Sequence, residues 1–403
     1  MKVAMINSVC GIRSTGRIMS QLADAVAANG DSCVMVFGRE SLPRELEGKA
    51  YRMESPLGVR LHGLRARVFD GAGFGSAAAT QRLLKRLDAF APDVLHLHNL
   101  HGYYLNLPIL FDYIKRKKLP VIMTLHDCWT FTGHCSHYEF AGCSRWRTGC
   151  FDCPQKGEYP ASWLMDRSKQ NYQRKRQLFL GVENMTLVTP SHWLAQACGE
   201  SYLREYPICV IPNSIDRSRF VPMASDVRKR FGLEGKRIVL AVSSAWGDGR
   251  KGLGDITQLP ELLPGDCKVV VIGVTGKEKQ KLSDKILTIE RTNDIDELVQ
   301  WYSAADVFIN PTYEDNFPTV NLEAIACGTP VVTYPSGGSP EAVTPGVTGY
   351  VTQEKSIRQL AQLSLQAMEL KKKGVGFEDG EFGLEAFTRQ YLSLYRQMCR
   401  EKG

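Results

Sequence analysis

Two carboxylates eight positions apart, Asp315 and Glu323, stand in the run Tyr313-Glu314-Asp315-Asn316-Phe317-Pro318-Thr319-Val320-Asn321-Leu322-Glu323-Ala324-Ile325-Ala326-Cys327-Gly328. The run follows Val307-Phe308-Ile309, which reads as a short buried strand. It passes through a polar turn into an apolar segment that Gly328 can stop. Strand, loop and helix in that order put the loop at the carboxyl end of a strand, where open α/β sheets bind ligands, and aim the first helix amides outward. One carboxylate then lies on the loop and the other in the helix, acceptors suited to polyol hydroxyls beside amides suited to phosphate. A second stretch, Ala245-Trp246-Gly247-Asp248-Gly249-Arg250-Lys251-Gly252, sets two cations in a glycine-rich turn ahead of a helix. Arg250 and Lys251 there would neutralise a pyrophosphate; the plain alternative is solvated surface.

Histidines and cysteines form the other reactive groups. His126-Asp127 closes the apolar run Leu119 to Leu125, while His96 and His98 alternate along Asp93 to Asn99. Alternation on a strand accounts for that spacing, which leaves His96, His98 and His101 as weaker candidates. Cys135-x7-Cys143-x6-Cys150-x2-Cys153 has thiols that can hold a structural zinc in a tetrahedral site, the alternative being free buried cysteines. Asp294-Ile295-Asp296 has the look of a metal-binding pair, but Glu297 and the periodic Leu298-Val299-Trp301-Tyr302 make it a helix start.

The elements that must position these groups repeat as apolar runs separated by helical patterns. Val3 to Ile6 and Ser32 to Phe37 read as strands around a loop, Val9 to Arg17, and a helix, Ile18 to Ala28. Further strands are expected at Asp93–Asn99, Leu119–Leu125, Thr186–Val188, Ile238–Val242, Val269–Ile272, Val307–Ile309 and Val331–Val332. Helices are expected at 107–118, 166–180 and 384–398, with Ser191 as an N-cap. The stretch Val59 to Phe69 mixes apolar residues with arginines at roughly helical spacing, which suits either a membrane surface or a solvated basic face. The chain has 403 residues, 43% hydrophobic and 23% charged, with a net charge of +7. That length calls for two domains, and that composition for a soluble enzyme. The basic balance is compatible with anionic donors and lipid phosphates. No apolar run approaches the ~18 residues of a membrane helix, no secretory signal is visible, and a cytoplasmic place, where disulfides are rare, is expected.

The segment around Asp315 and Glu323 resembles the Glu-x7-Glu element of the GT4-like retaining glycosyltransferases, with Asp315 at the first position and Glu314 beside it. Ala324-x-Ala326-Cys327-Gly328-Thr329-Pro330 and Gly337-Gly338-x-Pro340-Glu341 match that group, and Pro212-Asn213-Ser214-Ile215-Asp216 is similar to its Pro-Asn-Gly-Ile-Asp turn. Thr124-Leu125-His126-Asp127-Cys128-Trp129, continued by Trp146-x-Thr148-Gly149-Cys150-x2-Cys153-Pro154, resembles the colanic acid and capsular polysaccharide subgroup. The resemblance implies an α/β GT-B fold of two Rossmann-like, doubly wound domains facing a central cleft. Their expected spans are 1–220 with a cysteine-rich insertion at 128–154, then 221–383, then a helix at 384–403 crossing back. It implies a retaining, metal-independent transfer of hexose from a nucleotide-diphosphate sugar to a growing glycan carried on a polyprenyl lipid. Peripheral membrane contact and no nucleic-acid partner go with it. Gly16 in the first loop, Arg250, Lys251, Glu314, Asn316, Phe317 and Glu323 would hold the donor. His126, Asp315 and Glu323 would line the reacting centre, either Glu314 or Asp315 taking the first acidic role. A nucleotide-sugar epimerase and a non-catalytic sugar-nucleotide-binding scaffold are the rival readings on the same fold.

Overall fold

The structure is a computed structural model and describes residues 1–378 and 380–400. The chain divides into two compact units, Met1–Ile211 with the chain from Thr388 onward, and Pro212–Phe387. In the first unit seven strands, β1 (Lys2–Asn7), β2 (Ser32–Phe37), β3 (Ala50–Arg52), β4 (Val94–Leu97), β5 (Val121–Thr124), β6 (Met185–Thr189) and β7 (Ile208–Val210), form one parallel sheet in the order β3-β2-β1-β4-β5-β6-β7. The connecting helices are α1 (Arg13–Ala28), α2 (Pro56–Phe69), α3 (Ala77–Phe90), α4 (Leu107–Lys117), α5 (Ser168–Phe179) and α6 (His192–Glu200). Strands buried on both faces need no polar alternation, which is why Val94–Leu97 and Val121–Thr124 are continuous buried runs.

Ala4, Ile6, Leu95, Leu97, Val121 and Met123 pack into one core with Leu83 and Leu87 of α3 and Leu110, Phe111 and Ile114 of α4. Caps set the helix starts: Asn106 accepts the Ile109 N–H ahead of α4, and Ser191 accepts that of Leu194 ahead of α6. Helix α1 begins at Arg13, a turn earlier than expected at Ile18. Its first turn, Arg13 to Arg17, is polar except for Gly16, so apolar spacing does not mark it.

The second unit holds β8 (Arg237–Val242), β9 (Cys267–Ile272), β10 (Leu287–Ile289), β11 (Val307–Asn310), β12 (Val331–Thr333) and β13 (Gly349–Val351) in a parallel sheet ordered β10-β9-β8-β11-β12-β13. Alternate residues feed two cores. Leu240, Val270, Ile272, Phe308 and Val331 meet Val299, Trp301 and Tyr302 of the helix Ile295–Ala304 and Leu322 and Ile325 of the helix Thr319–Ala326. Val239, Ala241, Val269, Val271, Val307 and Ile309 meet Leu360, Ala361, Ala367 and Met368 of the helix Ile357–Lys373. Ile215 and Phe220 pack into the first of these cores, so the stretch from Pro212 joins this unit ahead of the boundary expected after residue 220.

Strand order reverses between β1 and β4 in one sheet and between β8 and β11 in the other, and the carboxyl ends at such reversals are where doubly wound sheets bind ligands. The final helix spans Leu384–Arg400, and from Thr388 it belongs to the first unit. Asp294 accepts the Glu297 N–H at 2.8 Å and caps the helix Ile295–Ala304, as the sequence leads one to expect. Among the described residues no helix is long and apolar enough to cross a membrane.

Candidate functional site

In the second unit the loop leaving β11 is fixed to the loop leaving β8. The Arg250 carbonyl accepts the Tyr313 N–H at 2.6 Å and the Thr312 hydroxyl at 3.3 Å. Gly252, at φ +72°, lies so close to the Pro311 carbonyl that a Cβ would sit 2.1 Å from its oxygen. This brings Lys251 onto Asp315, and the ammonium and carboxylate form an ion pair that stays partly exposed. Arg250 turns the other way and clasps Asp248 through both Nε and Nη2. Burial would lower the Arg250 pKa, but Asp248, with Glu314 and Asp315 further off, holds it above the ordinary arginine value. Of the two expected cations, Lys251 is the one aimed at the loop carboxylate.

The main chain of Asp315 is set from behind. Its carbonyl accepts the Gly338 N–H at 3.0 Å, and Gly337, at φ +55°, packs where a Cβ would fall 1.9 Å from the same oxygen. Glu314 is fully buried, its carbonyl taking the Thr312 hydroxyl, and Asn316 is buried next to it. Phe317 turns its ring into the core against Phe382, while its carbonyl accepts from Asn213 Nδ2 at 3.0 Å. The helix Thr319–Ala326 then starts at Pro318, which has no side-chain acceptor for the first-turn amides. Glu323, one turn in, is 7% exposed and accepts from the Tyr302 hydroxyl at 2.9 Å. Asn321 accepts from Asn310 Nδ2 and donates to Ser339, which ties that helix to β11 and to the turn after β12. Sequence reasoning missed Tyr302, Asn310 and Ser339, since nothing in their local spacing links them to Glu323 or Asn321.

In the first unit the loop after β1 is held by Asn7, whose Nδ2 donates to the Thr15 carbonyl and whose Oδ1 accepts the Ser8 N–H. Gly16 is buried in the first turn of α1, with the position of a Cβ 3.2 Å from the Gly11 nitrogen, so it lets that loop lie on the helix. After β4 and β5 the histidines join. His126 Nε2 and His98 Nδ1 are 3.0 Å apart, and His101 Nε2 lies 2.7 Å from Asp127. His96 sits between the Thr124 hydroxyl at 2.8 Å and the Tyr395 hydroxyl at 2.7 Å. Burial lowers the His126 pKa to about 4 against the pull of Asp127, so the ring is neutral near pH 7. Burial alone would raise the Asp127 carboxyl, but the adjoining His101 and the Trp129 N–H hold it well below the usual carboxylate range. His98 and His101, set aside as strand alternation, are thus the direct partners of His126 and Asp127.

The cysteine-rich insertion is organised by other bonds. The Cys135 thiol donates to the Cys153 sulfur, which draws Cys153 down to about 7. Cys150 Sγ accepts the Gly133 N–H at 3.1 Å, and the carbonyl of Cys143 takes the indole N–H of buried Trp146. Among the described residues no group of three or more His, Cys, Asp or Glu side chains is arranged to hold a metal ion.

Residues 15–214 match the family described as glycosyl transferase 4-like domain, and residues 226–377 match that described as glycosyl transferases group 1. A protein of Escherichia coli strain K12, assigned to colanic acid biosynthesis as the glycosyl transferase WcaC, is 28% identical over 349 residues, 81% of this chain and 82% of its own. Among solved structures, sucrose-phosphate synthase from Thermosynechococcus elongatus superposes with a TM-score of 0.68 at 18% identity, covering 98% of both chains. HepE of Anabaena, solved with UDP-glucose, gives a TM-score of 0.63 at 14% identity over 98% of this chain and 100% of its own. These structures share the two-sheet GT-B fold expected from the sequence.

Proposed function

Since the chain belongs to the glycosyltransferases, joining a 4-like domain to a group 1 domain, we propose that it is a retaining hexosyltransferase that takes sugar from a nucleotide diphosphate. The observation that carries this reading is Lys251 held against Asp315 at the end of β11, with Glu323 one helix turn beyond uncapped amides. A diphosphate arriving there meets a cation and helix amides. Glu323 accepts from the nucleoside ribose hydroxyls, and Glu314, Asp315 and Asn316 set the sugar. In the transfer, the bond from the anomeric carbon to the phosphate oxygen breaks and its electron pair leaves with the diphosphate. The acceptor oxygen bonds to that carbon on the face just vacated, and its proton passes to the departing phosphate oxygen. Lys251 stabilises the charge that develops on the leaving group. Neutral His126, in the first unit, offers a hydrogen-bonding group to a hydroxyl of the acceptor. The acceptor is a growing polysaccharide on a polyprenyl lipid, a reading supported by the kinship with a colanic acid glycosyl transferase.

The test is a thermal-shift screen of nucleotide sugars with the wild type, Lys251→Ala and Glu323→Ala, followed by transfer of labelled sugar to lipid-linked acceptor. Glu323→Ala should weaken the stabilising donor by roughly tenfold or more. Lys251→Ala should slow transfer on the order of a hundred-fold. A donor that keeps its full effect in both variants misplaces the site. Donor consumed without acceptor, with a new sugar-nucleotide epimer formed, replaces the transferase reading with the epimerase.

A further inference from the structure

Strands β4 and β5 carry a row of imidazoles to their carboxyl ends. The rings of His96 and His98 have centroids 4.0 Å apart, and those of His98 and His126 lie 5.3 Å apart and 14° from parallel. His96 is satisfied, with a hydroxyl at each ring nitrogen. His98 is not. It is 2% exposed, its Nδ1 lies 3.0 Å from His126 Nε2, and its Nε2 is buried with no hydrogen-bond partner. His126 is half-buried, and its Nδ1 makes no hydrogen bond to any described residue and is not closed off from water. Asp127, next in the chain, is engaged by His101 and by the Trp129 N–H, so no carboxylate sets the His126 ring.

The contact between His98 and His126 holds one proton. Burial lowers the pKa of both rings, so neither takes a second proton near neutrality. Were the shared proton on His126, His98 would carry its own on Nε2, a buried N–H without an acceptor. With the shared proton on His98 Nδ1, the orphan is only a lone pair. An orphaned buried N–H is the rarer of the two in folded proteins, which favours His98 as the donor. That choice fixes the far side of His126. Its Nε2 accepts, so its own proton sits on Nδ1, the nitrogen that reaches water.

We propose that His98 is a positioning residue that holds His126 as the Nδ1–H tautomer, so that His126 meets an oxygen of the acceptor as an N–H donor and not as a base. This rests on the transferase reading and assigns the chemistry of its acceptor side. With Nε2 filled by His98 and Nδ1 protonated, His126 has no lone pair free to take a proton. An N–H aimed at the attacking hydroxyl would draw density from the nucleophile, so the oxygen it holds is one that does not react, and the contact orients the acceptor. The proton of the attacking hydroxyl is then left to pass to the departing phosphate oxygen.

Long-range proton–nitrogen spectra of the full chain carrying isotope-labelled histidine read the tautomers directly. His126 and His98 should each show a protonated Nδ1 and a bare Nε2, the His98 signals being those lost in His98→Phe. A proton on Nε2 of His126 overturns the proposal. His98→Phe keeps a ring in the core and removes the donor. It should release His126 into a mixture of tautomers and lower kcat/KM for the acceptor about tenfold, while the thermal shift by nucleotide sugar persists and verifies the fold. His98→Asn returns a side-chain N–H to the place of Nδ1, and should recover the Nδ1–H signature of His126 and most of the lost rate. Equal rates in the wild type and both variants overturn the positioning role. Should the phenylalanine variant fail to fold, the wild-type spectra and the asparagine variant decide: an asparagine variant that loses the signature and keeps the full rate overturns it. Transfer by a wild type with the opposite tautomer refutes this proposal and leaves the transferase standing. The expected tautomer in a chain that transfers no sugar supports the His98 contact and overturns the transferase reading.

Discussion

Tyr302 stands 21 positions before Glu323, and its hydroxyl donates to a carboxylate oxygen that is almost out of water. Tyr302→Phe keeps the ring and removes that donor, so the cost is that of a buried acceptor losing a partner, about 1–3 kcal/mol. Urea denaturation should show it, together with a weaker thermal shift by donor; an unchanged midpoint would mean that Glu323 finds full compensation elsewhere. Buried histidines carry a second residue-level prediction. Burial lowers His62 to about 4, His96 to about 3 and His126 to about 4, each below the ordinary 6.5. Below about pH 6.5 the unfolded chain takes up protons at these rings that the folded chain refuses, so stability is complete near neutrality and declines as pH falls toward 4. His134, raised by Asp70 against its burial, works in the opposite direction and offsets one of the three. The urea midpoint should therefore drop from pH 7 to pH 5. A flat or rising midpoint over that window would show that these rings take up protons in the folded state.

Loops at strand ends are where small changes of backbone decide the site. Gly337→Ala forces an L residue into φ +55° and drives a methyl into the Asp315 carbonyl, so it should lower stability by on the order of 1–3 kcal/mol and displace the carboxylate paired with Lys251. Gly235→Ala is the control: its φ is +72° but nothing stands within 4 Å of a Cβ, so it carries the backbone strain with no loss of donor binding. Equal donor affinity in both variants would separate the Gly337 contact from the site. The same loops explain what was legible in the chain. Strands β4, β5, β8, β9 and β11 are buried on both faces and announce themselves as apolar runs. The edge strands β3 and β10 were not recognisable, having three half-buried residues each and one neighbour apiece. Lys251 and Asp315 were identifiable because each follows such a run. The turn of Arg250 onto Asp248 and of Phe317 into the core was not, since it depends on packing between loops distant in sequence.

Across the whole chain, the longest reach is that of the final helix, whose residues from Thr388 complete a sheet begun at Lys2. Tyr391 meets the Thr124 hydroxyl at 3.0 Å, Tyr395 holds His96, and Met398 Sδ accepts from Thr186. All three are buried, so this segment closes one face of the first-unit sheet directly behind the strands that end in His98 and His126. A chain ended at Phe387 would strip that face, exposing apolar surface at about 25 cal/mol per Å², leaving buried His96 Nδ1 without its partner and Thr124 with His96 alone. Hydrogen exchange read peptide by peptide should then accelerate in β1, β4, β5 and β6 while β8, β9 and β11 stay protected. Should the shortened chain fail to fold, Tyr391→Phe/Tyr395→Phe in the full chain keeps the packing and removes only the two hydroxyls. It should raise exchange in β4 and β5 and bring the acid loss of stability to a different pH, because His96 then changes its hydrogen bonding. Uniform acceleration over both units, or none in the first, would refute the assignment of this helix to the histidine-bearing sheet.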